Sequence, residues 1–557
     1  MIGSRPASSP GAPAPSRYLP TLAGRHVVFL NWRDRAHPQA GGAELFCQSV
    51  AERFAAAGVR VTLLTSRVRP DGEPPAPAAQ AVAGVDVRRG GGTFGVYPSV
   101  LARLASLGRA GHRVDAVVDC QNGIPFFSPV VLSGRTPVVQ VLHHVHQKQF
   151  PLYFPGPVAR VGQLLEAPGS RLVYRRRPSV VVSPSTRDEA RTILGLPGPR
   201  YLVPNGVTAA SLPTSADVGG PAPAPTVVCV GRLVPHKRLH LLLDELPALA
   251  AAHPGLVVHV VGDGPDRDRL VAHAVALGLT APAGGGAPSA GASSGEVVRW
   301  HGQVAAEVRD RLLSSAWLTV NPSHGEGWGL SVLEAAALGV PAVAFRVAGL
   351  RDAVRDGTTG WLVRDGEPLG PAIDAGLRLL ADPAAAADLR AAARAWAAGF
   401  TWDASAELLA RVVSAEIDRL AGSTGAGAGP GARERRRVDD DLTHATFTLS
   451  PGAALPVLRR TDLVYRPDPD GEQVVAVLYG AGLREARAAL ARAGVASAPG
   501  AEGLTLRPGT GEDLLLAPRH PLSLIKKRPC RRSMACVDLG GRRLIKKRGG
   551  GGGGGGG

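Results

Sequence analysis

From His26 onward the chain alternates short β-branched runs with Ala- and Leu-rich stretches. HVVFL (26–30), VRVTLL (59–64), DAVVD (115–119), PVVQVL (137–142) and SVVVS (179–183) are largely apolar, and a helical pattern covers roughly 43–57. Short apolar strands separated by helices are those of a parallel sheet covered on both faces. RTILGLPGPRYLVPNGV (191–207) closes this series, and a Pro/Ala/Gly stretch (211–225) separates it from a second. There TVVCVG (226–231), GLVVHVVG (255–262), EVVRW (296–300), WLTV (317–320) and VPAVAF (340–345) are the strands, and helical pattern continues to about 419. The pattern predicts an α/β chain with two Rossmann-like, doubly wound domains, 22–205 and 206–400, facing a cleft. A helix over 401–420 follows.

The flanks differ in character. Residues 1–21 read as a disordered Pro/Ser-rich arm, TAPAGGGAPSAGASSG (280–295) as a surface insertion, and 421–441 as a linker. DLVYR, QVVAVLYG and LREARAALARAG predict a small α+β module over 442–520, in which no chemistry is legible. The basic tail, 521–557, repeats LIKKR at 524–528 and 544–548 and ends in nine glycines.

Charge changes the picture through its distribution. The net charge is +17 over 557 residues. Residues 1–200 hold 24 Lys/Arg against 11 acids, the tail ten against one, and the stretch between them 29 against 34. The excess therefore lies on the first domain and the tail, which points to an anionic partner for that part of the molecule. No helix-turn-helix, zinc-finger or aromatic RNP signature accompanies it, so no nucleic acid is expected. The five cysteines are odd in number and lack CxxC spacing, which argues against a disulfide framework or zinc site and for a reducing cytosol. The N-terminus lacks the apolar stretch of a signal peptide, and no apolar run reaches about 18 residues.

Chemistry concentrates at strand ends. NPSHGEGWGLSVLEAAALGVPAVAF (321–345) ends a strand, passes through a Gly-rich loop and opens a helix near Leu330, an arrangement whose free N–H groups suit a diphosphate. Glu326 and Glu334, eight apart, could accept from sugar or ribose hydroxyls; each alone also reads as a solvated carboxylate. VGRLVPHKR (230–238) sets Arg232 and Lys237 just past the second domain's first strand, where open α/β sheets bind ligands. VVGDGPDRDRL adds Gly262 and Gly264, without a GxGxxG fingerprint. In the first domain, Gly41 and Gly42 open a helix after HVVFL. His143, His144 and His146 follow PVVQVL without the spacing of a metal site.

In order and spacing these motifs resemble retaining glycosyltransferases of the two-domain GT-B architecture, family 4 in particular, over roughly 24–419. The most specific elements are EGWGLSVLE with its following AAALGVPAVAF, together with GRLVPHK. The resemblance implies that Arg232 and Lys237 hold the donor diphosphate, Glu326 the transferred sugar and Glu334 the ribose. It also implies that amides of Gly327, Trp328, Gly329 and Leu330 cradle phosphates and sugar, and that Gly41 and Gly42 approach from across the cleft. His143 is the better match for the histidine ending the mid-domain strand, with His144 its competitor. Asn205, Gly262 and Gly264 complete the substrate-binding set. FTWDASAELL (400–409) resembles the final helix that crosses back onto the first domain. The donor would be a nucleoside-diphosphate sugar, UDP- or GDP-linked, with no cofactor or metal. The acceptor would be a glycan, a lipid-linked glycan or a small molecule, and the site of action the cytoplasm or the inner face of the cell membrane.

GPVARVGQLLEAPGSRLVYRRRP (156–178) mixes apolar positions with Arg171, Arg175, Arg176 and Arg177. It reads either as a basic amphipathic segment on an anionic membrane or as a packed helix with a solvated arginine face. Rival functions are a GT-B epimerase or phosphorylase and a non-enzymatic basic protein binding anions or nucleic acid. A dinucleotide oxidoreductase is disfavoured by the missing fingerprint.

Overall fold

The computed structural model describes residues 18–68, 74–109, 113–207, 220–281, 296–422 and 442–449, and within the C-terminal module 458, 462–467, 472–479, 481–493, 495 and 504–516. The insertion at 282–295, the linker at 423–441 and the tail at 521–557 lie outside the described residues.

The first domain contains β1 (His26–Leu30), β2 (Arg60–Thr65), β3 (Ala79–Val82), β4 (Val85–Arg89), β5 (Ala116–Asn122), β6 (Val138–His144), β7 (Ser179–Val181) and β8 (Arg200–Leu202). Their order is β3-β4-β2-β1-β5-β6-β7-β8, parallel except for the edge pair β3–β4. β1 is buried along its whole length, which is why its sequence shows no alternation. The chain winds one way from β1 to β2 and the other from β1 to β5, so a crevice opens beyond the β1 and β5 C-terminal ends.

The second domain repeats the scheme with β9 (Thr226–Val230), β10 (Val257–Val261), β11 (Val298–Gly302), β12 (Leu318–Asn321), β13 (Ala342–Phe345) and β14 (Gly360–Val363). Their order is β11-β10-β9-β12-β13-β14, all parallel, and the winding reverses between β9 and β12. β14 breaks the helical pattern expected to run to about 419: four residues are too few to show a period, and only pairing with β13 defines them. The edge hairpin β3–β4 was also illegible: β3 is exposed but for half-buried Val82, and β4 buries Val85, Val87 and Arg89 alternately, in an alternation that mixes apolar and charged residues.

Helix Trp402–Gly422 returns to the first domain. Trp402 stacks near Phe46 at 6.3 Å, Ser405 Oγ donates to Pro204 O at 2.6 Å, and Asp403 pairs with Arg53. The same helix corrects the reading of 1–21 as wholly disordered. Leu19 and Leu22 are buried, and Glu407 accepts from the Tyr18 and Leu19 amides. Two leucines three apart on a 3₁₀ turn suffice to bury one edge. Residues 1–17 lie outside the described residues.

In the C-terminal module β15 (Leu442–Thr448), β16 (Leu463–Tyr465), β17 (Gln473–Tyr479) and β18 (Thr505–Pro508) form an antiparallel sheet, β16-β17-β15-β18. Tyr479 packs on Tyr201 of the first domain at 5.0 Å between centroids. Among the described residues no helix is long and apolar enough to cross a membrane.

Candidate functional site

Two loops of the second domain meet at its winding reversal. The loop after β9 carries Arg232 and Lys237, and the loop after β12 carries Ser323 and Glu326. Arg238 ties them together. Its backbone is left-handed, φ 50°, and its guanidinium donates to Pro322 O at 3.1 Å and Ser323 O at 3.0 Å. The guanidinium also pairs with Asp365 at 2.8 Å and lies over the Phe345 ring. Such a backbone is costly away from glycine and persists where surrounding contacts fix it.

Clamped in this way, Lys237 Nζ donates to Glu326 Oε1, which also accepts from the buried Ser323 hydroxyl at 2.8 Å. Burial alone would raise the Glu326 carboxyl. The Lys237 charge, its hydrogen bond and that of Ser323 outweigh burial and bring the carboxyl down to about 2. Arg232 is exposed beside this pair, and a pocket lined by Gly231, Arg232, Lys237, Asn321 and Ser323 opens there. Two cations, one exposed and one held by a carboxylate, carry the charge to pair with a diphosphate, and the carboxylate can accept from hydroxyls.

The helix opening at Leu330 follows directly. Gly329 caps it with φ 78°, a left-handed backbone that glycine adopts without cost. Gly327 lies against the first domain: a Cβ there would stand 1.9 Å from His143 O. The Trp328 ring is buried in the core, edge-on to Phe400 at 5.0 Å. Glu334, further along the helix, lies 3.7 Å from Arg309, and burial raises its carboxyl while Arg309 opposes. Gly262 and Gly264 sit against the backbone of Gly231 and Leu233, behind the cation loop.

Across the cleft, the helix Gly42–Ala56 begins where Gly42 faces both Leu330 and Asn205; a Cβ on Gly42 would meet them at 3.6 and 3.7 Å. Glu44 closes its first turn, accepting from the Gly41 amide at 2.7 Å and lying 3.4 Å from Arg33. Burial, and the like charge of Arg232 from the opposite domain, lower the Arg33 pKa while Glu44 raises it. His143 is buried with both ring nitrogens unpartnered, edge-on to Phe46 at 5.1 Å, and burial holds its pKa near 3. His144 is also held near 3, by burial first and the charge of His146 next; its Nε2 meets Gln149 at 2.9 Å and its Nδ1 has no partner. A Cβ on Gly325 would lie 3.8 Å from the His144 ring. Asn205 Oδ1 is buried without a partner.

The structure thus gathers Gly41, Gly42, Asn205, His143, His144, Glu326 to Leu330 and the two cations around one cleft. Gly262, Gly264 and the Trp328 side chain lie behind it. Sequence reasoning missed Ser323, Arg238 and Arg33, whose roles depend on three-dimensional neighbours. It also missed Tyr153, whose hydroxyl hydrogen-bonds His236 across the cleft. His236 and Arg238 flank Lys237 and Ser323 lies in the Glu326 loop, so the motifs that flagged those residues held the one available signal.

Two facing doubly wound domains, with cations and a glutamate at the second reversal, define a GT-B glycosyltransferase. Residues 40–211 match the family model for glycosyltransferase family 4, and 224–382 that for glycosyl transferases group 1. A D-inositol 3-phosphate glycosyltransferase of Geodermatophilus obscurus is 30% identical over 419 residues, covering 69% of this chain and 87% of that protein. The chain belongs to this glycosyltransferase family. A GDP-mannose-dependent alpha-(1-6)-phosphatidylinositol monomannoside mannosyltransferase of Mycolicibacterium smegmatis is 35% identical over 191 residues, covering 34% of this chain and 48% of that protein. Among solved structures, sucrose-phosphate synthase from Thermosynechococcus elongatus superposes with a TM-score of 0.57 at 21% identity, over 70% of this chain and 98% of its own, and agrees in fold.

Proposed function

We propose that the protein transfers a hexose from a UDP- or GDP-sugar, with retention of anomeric configuration, to a glycan, glycolipid or small-molecule acceptor of cell-envelope glycoconjugate synthesis. The observation that carries this reading is the Lys237–Glu326–Ser323 cluster beside exposed Arg232 at the second domain's winding reversal. Donor binding would exchange partners: the diphosphate takes Lys237 and Arg232, and the sugar hydroxyls take Glu326. The bond between the anomeric carbon and the β-phosphate oxygen breaks, leaving its electron pair on the phosphate. The acceptor oxygen bonds to the anomeric carbon on the same face, and its proton passes to the departing phosphate. Lys237, Arg232 and the amides at Leu330 stabilise the charge that develops on the leaving group, the role otherwise open to a metal. One relative acts on a phosphatidylinositol monomannoside, which favours a lipid-linked acceptor met at the inner face of the membrane, while the inositol 3-phosphate glycosyltransferase keeps a small phosphorylated acceptor as the alternative.

The test is a thermal-shift panel of UDP-, GDP- and ADP-sugars, followed by NMR of the product's anomeric coupling. One nucleotide sugar is expected to stabilise the protein, by about 2.7 kcal/mol at a hundredfold excess over Kd, and the product to keep the donor's configuration. Stabilisation by none of them, or an inverted product, would overturn the reading.

A further inference from the structure

The segment beside the cleft mouth is built inside out. Helix Gly156–Leu164 passes through a π turn, Leu165–Gly169, into helix Ser170–Val173. Its inward stripe, Ala159, Gly162, Glu166 and Ser170, is small or polar and buried. The reason is local. Phe150 rests on Gly162, where a Cβ would come within 2.6 Å of its ring, and Glu166 accepts from the His146 amide at 2.7 Å and Gln147 Nε2 at 2.9 Å. The outward stripe is apolar: Val158, Val161, Leu164 and Leu172 are 53 to 67% exposed, and Leu152 just ahead of them 53%. This reverses the usual arrangement of a surface helix, whose apolar face turns inward. The helix is therefore no packed element with a solvated polar face, and a patch of this kind marks an interaction surface.

Charge selects the occupant. Lys148, Arg160, Arg171, Arg175 and Arg176 are exposed along the same segment, and the one acid between 145 and 178, Glu166, is buried. Two copies of this face would oppose cation to cation. An anionic bilayer satisfies both features, since its acyl boundary takes the valines and leucines while its headgroups take the arginines, whose aliphatic stems suit that depth. Position supplies the link to the site. Residues 151–158 are all exposed, and among them Tyr153 hydrogen-bonds His236, the neighbour of Lys237.

We propose that the face formed by Leu152, Val158, Val161, Leu164 and Leu172 with its ring of arginines seats the protein on an anionic lipid bilayer, with the mouth of the transfer cleft at the bilayer surface beside Tyr153. The placement of the cleft mouth rests on the glycosyltransferase reading; the seating itself does not. Co-sedimentation of the full chain with vesicles of 70:30 phosphatidylcholine:phosphatidylglycerol, against pure phosphatidylcholine, tests it. The protein is expected to partition at least tenfold more strongly onto the anionic vesicles at 50 mM NaCl and to lose most of that at 500 mM. V161S/L164S/L172S and R175E/R176E should each cut partition at least tenfold while keeping the thermal shift given by inorganic pyrophosphate, which reports a folded donor domain. Wild-type protein left in the supernatant, or variants that sediment as wild type does, would overturn the proposal. So would a concentration-dependent dimer in sedimentation velocity that V161S/L164S/L172S dissolves, because the face would then belong to a second copy. Vesicle binding by a protein that binds no nucleotide sugar would leave the surface standing and remove the glycosyltransferase reading instead.

Discussion

The two walls of the cleft treat their polar groups in opposite ways. On the donor-side wall, Lys237 and Glu326 stay charged because they hold each other, and the carboxyl is brought to about 2. On the opposite wall, beside the Arg33–Glu44 pair, burial keeps two histidines neutral and leaves both ring nitrogens of His143 and Nδ1 of His144 without partners. His143 and His144 lie near 3. Elsewhere in the first domain, Glu189, in helix Pro184–Thr192, is raised to about 7 by burial against the pull of Arg351 and Lys148. One wall can thus trade partners with an ionic ligand, while the other stores unmet hydrogen bonds that a neutral ligand can satisfy. An unpartnered buried polar group costs about 1–3 kcal/mol, so the second wall gives up stability to keep its donors and acceptors free.

The largest expected effect breaks the charged wall. Lys237→Ala should lower kcat/KM for sugar transfer by about 100- to 1000-fold, the scale of losing a preorganised donor to a developing anion. Its melting temperature should fall as well. The two side chains are only 21% and 18% exposed, and the loss of Lys237 leaves the Glu326 carboxylate buried without its cation, a cost of up to about 3 kcal/mol. A transfer assay paired with thermal denaturation separates the two.

An intermediate effect probes the neutral wall. His143→Phe replaces an unpartnered imidazole beside Phe46 with a ring of similar shape and should stabilise the fold by about 1–2 kcal/mol while reducing transfer at least tenfold. Chemical denaturation and the same assay read both. Equal loss of stability and activity would mean that the imidazole makes contacts that hold the wall together.

The smallest effect is a pH dependence. The folded-state pKa of Glu189, about 7, lies above its ordinary value of 4.5, so its contribution is full below the ordinary value and is lost as pH rises through about 7. Glu189→Gln should therefore match wild type near pH 4.5 and exceed it at pH 8 by about 1 kcal/mol, or roughly 2–4 °C in melting temperature. Glu326 runs the other way. Its lowered pKa stabilises above the ordinary carboxylate range and is lost only as pH falls through about 2, so no step near neutrality should come from it.

Both parallel sheets were legible because buried strands separated by helices leave apolar runs that nothing else in the chain resembles. Lys237 and Glu326 were legible as well, since each follows a strand end in a loop too rich in glycine and charge for simple connection. Their pairing was not, because it depends on Arg238 drawing together loops more than eighty residues apart in sequence. Ser323, Arg33 and Tyr153 carried no periodic signal. The docked turn at Leu19–Leu22 was hidden by its Pro/Ser-rich surroundings, and the reversed polarity of 156–172 emerged only once the inward stripe was known.

Isothermal titration of the matched nucleoside diphosphate and of its sugar conjugate, into wild type, Lys237→Ala and Glu326→Ala, tests the exchange of partners most directly. Lys237→Ala should lose at least tenfold in affinity for both ligands. Glu326→Ala should keep its affinity for the diphosphate and lose only the increment added by the sugar. Wild-type affinities for both ligands in both variants would contradict the exchange.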